Sequence, residues 1–247
     1  VDPPDLADGP GYLTTRDGTQ LAVRVTLPGP AEDGPYPTVV EYGGGDTARP
    51  GPAEPGSPLA VAAALGYATV GVNLRGTGCS GGSFQLWEDV QATDGFDVIE
   101  AVAAQPWVKH GRVGLVGIGD TADLIFAVAA LGPPSLAALT PMGAMDDLYR
   151  SVLRPGGVPN EATLEWMRAA ERAAEADGSE WATAQVDEGD EICERNLGLR
   201  GQNVHLADQA ADQTFHPDGD DSWGLSFVPL GSATRVTAPT FLVATWQ

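Results

Sequence analysis

The residues at positions 116–126, VGIGDTADLIF, leave a short apolar run and enter a helical pattern. Many hydrolases expose a nucleophilic serine at such a turn, because small flanking residues let the backbone bend sharply enough to present the oxygen. No serine stands there. Three other groups could in principle attack a carbonyl: the carboxylate of Asp120, and Cys79 or Ser80 in the glycine-rich stretch RGTGCSGGSF at 75–84. A plainer reading makes 116–126 an ordinary strand-to-helix turn with Asp120 as its N-cap, a position aspartate favours. The cluster HPDGDDS at 216–222 lacks the spaced ligands and closing glutamate of a calcium loop and reads as a solvated acidic turn. Gly43, Gly44 and Gly45 are not followed by the Lys-Ser/Thr of a phosphate loop. His110, His205 and His216 read as surface or internally satisfied histidines rather than bases.

These residues need a scaffold, and the hydropathy pattern supplies one. Residues 12–27 alternate apolar and polar around Asp17-Gly18, which predicts a hairpin with a two-residue turn. TVVEY at 38–42 predicts a strand running into the three glycines. An alanine-rich helix at 59–65, closed by Gly66, precedes the continuous apolar strand YATVGVN at 67–73. A helix at 94–104, a strand at 113–118, a helix at 121–131 and a strand at 136–140 follow. Such alternation predicts a mostly parallel sheet with helices on both faces. From about residue 156 the pattern turns helical: 161–176, capped by Asn160, and 179–197 read as amphipathic helices. Strand character returns at 240–246.

Taken together, YLTTRDGTQLAVRVTLPGP, PYPTVVEYGGGDTARP, LGYATVGVNLRGTGCSGGSF, QPWVKHGRVGLVGIG and PSLAALTPMGAMDDLYRSVLRPGG resemble successive segments of one family. That family is the cocaine-esterase-like and X-Pro dipeptidyl-peptidase-like serine hydrolases, within the α/β-hydrolase superfamily. The resemblance is strong over residues 12–157 and weaker over 221–247. It implies an α/β-hydrolase core over 1–155, an inserted helical cap over 156–236 and a return strand over 237–247. It also implies hydrolysis of ester, amide or X-Pro bonds through an acyl-enzyme, without metal or organic cofactor. Placing Gly119 at the nucleophile position leaves the small Gly117 two residues before it, whereas placing Asp120 there would put Ile118 where crowding forbids it. The nucleophile position therefore holds glycine. The same alignment puts Gly45 where the family has its oxyanion-stabilising tyrosine, leaving the backbone N–H of Asp120 as the donor still aimed at such a site. Arg75, with Gly45 and Gly119, would border the ligand cleft. The family's acid and histidine, and the β-sandwich that usually follows, would lie after Gln247. Family members often carry cysteine at the Cys79 position, which favours a packed structural role for it. The expectation is thus a catalytically silent member that could hold a small acyl or peptide ligand. The alternatives are an active hydrolase using another nucleophile or residues after Gln247, and a binding module.

Composition narrows the partners. The formal net charge is −21, and Lys109 is the only lysine. Phosphate backbones and anionic lipids would repel such a chain, which disfavours nucleic-acid and membrane roles. Two cysteines are too few for a disulfide framework or a zinc site, though one bridge is open to them. No window is long and apolar enough for a membrane span, so a soluble chain, cytoplasmic or secreted, is expected.

Overall fold

The computed structural model describes residues 5–84, 89–145, 147, 149–175, 180–203 and 232–244. Its centre is a six-stranded sheet in the order β1-β2-β4-β3-β5-β6. β1 (Gly9–Thr14) and β2 (Gln20–Thr26) form the expected hairpin, antiparallel with Thr14 opposite Gln20. The connection is longer than the two residues predicted. It is a five-residue loop, 15–19, in which Thr15 N donates to Thr19 O and Thr15 Oγ1 to Asp17 Oδ1. Asp17 is drawn into the loop by that hydroxyl and by Arg75, and Gly18 takes φ 90° after it. β2 also runs antiparallel to β4 (Ala68–Asn73), whereas β3 (Tyr36–Gly43), β5 (Val108–Ile118) and β6 (Leu136–Met142) extend the sheet in parallel.

The burial follows from the sequence pattern. Every residue of β4 is buried, as a strand covered on both faces requires. α1 (Pro58–Ala64) starts at Ser57, whose side chain accepts from Ala60 N, and ends before Gly66 at φ 83°. α2 (Asp89–Ala103) and α3 (Asp120–Ala130) pack on each other and on β5, through Val98, Ile99, Val102, Leu124, Ile125 and Val128. α1 lies against β3 and β4, and across the opposite face it shares an open groove of about 740 Å³ with β5 and β6. Val61, Leu65, Val116, Ile118 and Met142 line that groove.

After β6 the chain forms the helices α4 (Glu161–Glu175), α5 (Glu180–Asp187) and α6 (Glu191–Leu197). The single helix expected over 179–197 is in fact two. Gly189 at φ 97° breaks it, and Asp190 restarts it by accepting from Ile192 N and Cys193 N. The returning segment makes parallel bridges beside β6, Leu139 with Thr240 and Met142 with Val243. Among the described residues no helix is long and apolar enough to cross a membrane.

Candidate functional site

β3, β4 and β5 run parallel or next to one another in the sheet, so their C-terminal ends bring three turns together: Gly43 to Gly45, the glycine loop from Arg75, and the bend at Gly119. Gly119 alone connects β5 to α3, with φ 62° and ψ −123°. A side-chain-bearing residue is strained there and glycine is not. The helix begins at Asp120, so the N-cap position belongs to Gly119. Asp120 is instead the first helical residue, exposed, its Oδ1 accepting from Thr121 N at 3.0 Å. The sharpness of the bend moves the cap one residue earlier than capping preference alone suggested.

Close contacts define the bend. Gly119 N donates to Met142 O at 2.9 Å, tying it to the end of β6, and Gly119 O accepts from Ala122 N at 2.9 Å to start the helix. A Cβ on Gly117 would stand 2.8 Å from the backbone carbon and oxygen of Thr121 and 2.9 Å from Ala122 N, closer than real Cβ atoms come. Gly117→Ala is therefore expected to lower stability by about 1–3 kcal/mol, with a matching fall in the urea midpoint. A Cβ on Gly119, by contrast, would meet nothing within 4 Å. The bend is thus tight on the strand side at Gly117 and open at its tip, where Gly119 carries a hydrogen in place of a side chain.

Thr121 is a part of this site that the sequence reading missed. Its Oγ1 accepts from Ile118 N at 2.7 Å and donates to Ile118 O at 2.9 Å, closing a small ring across the bend. Its methyl carbon lies 2.5 Å from where a Cβ on Gly43 would be, so the strand end beside it must be glycine. The available signal was a hydroxyl two residues after the tip, where the Gly-x-Ser-x-Gly pattern has glycine. Asp123 was also missed. It is buried, Oδ1 accepts from Met145 N at 2.7 Å, and among the described residues Oδ2 has no partner. Burial pushes its carboxyl up to about 7, aided by the nearby charge of Asp120 and opposed by the Met145 N–H.

The other candidate residues separate into exposed and committed groups. Gly45 is exposed at φ 62°, with open space where a side chain would begin, and its carbonyl accepts from Asn73 Nδ2 at 2.8 Å. Arg75 turns inward. Its guanidinium bonds Asp94 at 2.6 Å through both Nε and Nη2, and Asp17 at 2.9 Å. Those carboxylates hold it protonated more firmly than an ordinary arginine. Ser80 is fully buried, its Oγ donating to Asn73 O and accepting from Ala22 N, both at 2.8 Å. Cys79 is bonded to Cys193 in a disulfide, a more specific structural role than packing. Neither Ser80 nor Cys79 has a free nucleophilic atom. His110 sits toward the start of β5, away from the bend at its other end. His205, His216 and the acidic cluster at 216–222 lie outside the described residues.

Comparison with known proteins places this arrangement among hydrolases. The sequence model of the X-Pro dipeptidyl-peptidase (S15) family matches residues 17–247. Cocaine esterase from Rhodococcus sp. (strain MB1 Bresler) is 30% identical over 197 residues, covering 73% of this chain and 33% of that enzyme. The crystal structure of a CocE/NonD family hydrolase from Staphylococcus aureus superposes with a TM-score of 0.66 at 25% identity, covering 94% of this chain and 39% of that one. An α-amino acid ester hydrolase shares the fold, with a TM-score of 0.62 at 17% identity over 96% of this chain and 43% of that one. The chain spans a third or less of the length of the curated relatives it matches.

Proposed function

The chain belongs to the X-Pro dipeptidyl-peptidase (S15) family of serine hydrolases, and we propose that it is a catalytically silent member whose cleft holds a ligand without acylating. One observation carries this reading: the bend that would present the nucleophile is built on Gly119, at φ 62° and ψ −123°, and glycine has no atom with which to attack. Losing a nucleophilic serine removes on the order of 10⁶ in turnover. Losing an oxyanion donor, as glycine at position 45 implies by resemblance, costs about 10²–10³ more. The two replacements lie on neighbouring strand ends, so they fall on one reaction and not on two unrelated sites.

By the same resemblance the ligand is a short acyl compound or a proline-containing peptide. It would lie across the ends of β3 and β5 between Gly45 and Gly119, with Arg75 at the base of the flanking loop. A second reading, hydrolysis through another nucleophile, draws support only from Asp120, an exposed carboxylate next to the bend. Incubation with a fluorophosphonate and with an activated aryl ester, followed by intact-mass and peptide analysis, separates the two. The silent reading expects no stoichiometric adduct and ester turnover at the buffer rate, together with saturable reversible binding of a proline-containing dipeptide or acyl ligand by calorimetry. An acyl group on the peptide containing Asp120, or failure of every ligand in the panel to bind, would overturn it.

A further inference from the structure

The glycine loop from Arg75 to Phe84 is held from two sides. From the core, Ser80 Oγ bridges Asn73 O and Ala22 N, and Gly81 N donates to Gln20 O at 2.7 Å. From the cap side, Cys193 of α6 is bonded to Cys79, and Asn196 Nδ2 donates to Cys79 O at 2.9 Å. Arg200 donates to the carbonyls of Gly78 and Ser80, and Asn203 accepts from Phe84 N at 2.7 Å while donating to Gly76 O at 3.0 Å. α5 adds Trp181 Nε1 donating to Asp46 of the loop after β3, at 2.9 Å. Tyr12 OH donates to Asp190 at 2.7 Å from the hairpin. Thus α5 and α6 roof the loop after β3, whose strand neighbours β5 and the bend at Gly119, and the glycine loop after β4 on its far side, over a small apolar cluster of Ala22, Ala48, Ala182 and the two cysteines.

The non-covalent ties of this roof can each be exchanged for water. Those of Asn196 and Asn203 are neutral hydrogen bonds, which contribute little net, and the bonds with one charged partner, Tyr12–Asp190, Trp181–Asp46 and Arg195–Gln20, lie at part-buried or exposed positions. Arg200 is the most buried charge among them, and among the described residues its guanidinium meets only carbonyls and its Nη1 has no partner; burial pushes it down to about 10. A buried cation without a carboxylate favours undocking into water. The disulfide is the tie that undocking cannot break, because with it intact α6 cannot leave Cys79 by more than a bond.

We infer that the Cys79–Cys193 bond is a redox latch: oxidised, it fixes the α5–α6 roof on the loops after β3 and β4; reduced, it lets the roof lift while the sheet stays folded. The reductant is a dithiol. One thiolate attacks a cystine sulfur to give a mixed disulfide, and its second thiol displaces the other cysteine. Two protein thiols and one reductant disulfide result, with two electrons and two protons transferred.

The test uses the whole chain with dithiothreitol, incubated until intact mass shows both cysteines alkylatable, and reads amide hydrogen exchange by segment. The latch expects exchange over 76–84 and 191–197 to accelerate by at least about tenfold on reduction, with 68–73 and 113–118 unchanged. Reoxidation of the same sample should restore protection, and Cys79→Ser with Cys193→Ser should match the reduced state. Reoxidation alone carries the test if that variant does not fold. Alkylation of either cysteine in air-oxidised protein before reduction would overturn the latch. So would exchange indifferent to redox state, or equal acceleration in β4 and β5. The readout is independent of ligand binding and acylation, so it can fail without touching the silent-hydrolase reading.

Discussion

Replacing Asp94 by alanine is expected to lower the unfolding free energy by about 3–5 kcal/mol, the usual cost of leaving one partner of a buried ion pair alone. Asp94 lies on α2 with its side chain 2% exposed, and it takes both Nε and Nη2 of Arg75, whose side chain is 11% exposed. Removing the carboxylate strands a guanidinium that cannot turn to water without unseating the residue that opens the glycine loop. Asp17 does not compensate, because it binds only Nη2, from a loop that is itself largely exposed. The double change Asp94→Leu with Arg75→Met removes both charges and is expected to recover more than half of the loss, which urea unfolding of the two single variants and the double variant measures. Additive losses would mean that the pair is not coupled and that each residue acts through other contacts. Surface pairs set the contrast. Arg16 bonds Asp97 at 2.6 Å with its side chain 57% exposed, and breaking that pair should cost no more than about 1 kcal/mol.

Much of this architecture was legible from periodicity and turn chemistry. β4 could be read as doubly buried because YATVGVN has no polar alternation, and α1 because Gly66 closes it. The bend could be located because only one register leaves glycine two residues before the tip, and the backbone atoms of Thr121 packed against Gly117 are the physical reason for that rule. What the sequence concealed were interactions between segments far apart in the chain. Arg75 read as a cleft cation, since nothing local announces that Asp94 and Asp17 would converge on it. Cys79 and Cys193 are 114 residues apart, and their pairing depends on where α6 lands. The break at Gly189 was hidden because the amphipathic pattern continues across it, and only the Asp190 capping pair marks the restart. Asp123 was overlooked for the opposite reason. A carboxylate on a helix beside the apolar LIF reads as solvent-facing until α3 is laid on the sheet.

That buried carboxylate gives the second large effect. Asp123 ordinarily ionises near 3.8 in a solvated setting and near 7 in the folded chain, so the fold holds a proton that the unfolded chain releases between those values. The sign follows from linkage. Stability falls as pH rises from about 4 to about 7 and is level beyond, with a full penalty on the order of 4 kcal/mol. Asparagine in its place keeps an acceptor for Met145 N and has no charge to bury. Its amide nitrogen would occupy the unpartnered Oδ2 position, at a cost of about 1–3 kcal/mol that does not vary with pH. Asp123→Asn is therefore expected to be less stable than the parent near pH 4.5 and more stable at pH 8, with the two urea-derived stability curves crossing between them. Parallel curves would mean that Asp123 is ionised throughout and that its Oδ2 is hydrated. The same crossing bears on the bend, because Asp123 N bonds Gly119 O at 3.3 Å and its side chain holds the loop after β6. A charge forced on at high pH therefore costs the fold stability at the residue that ties the start of α3 to the loop after β6.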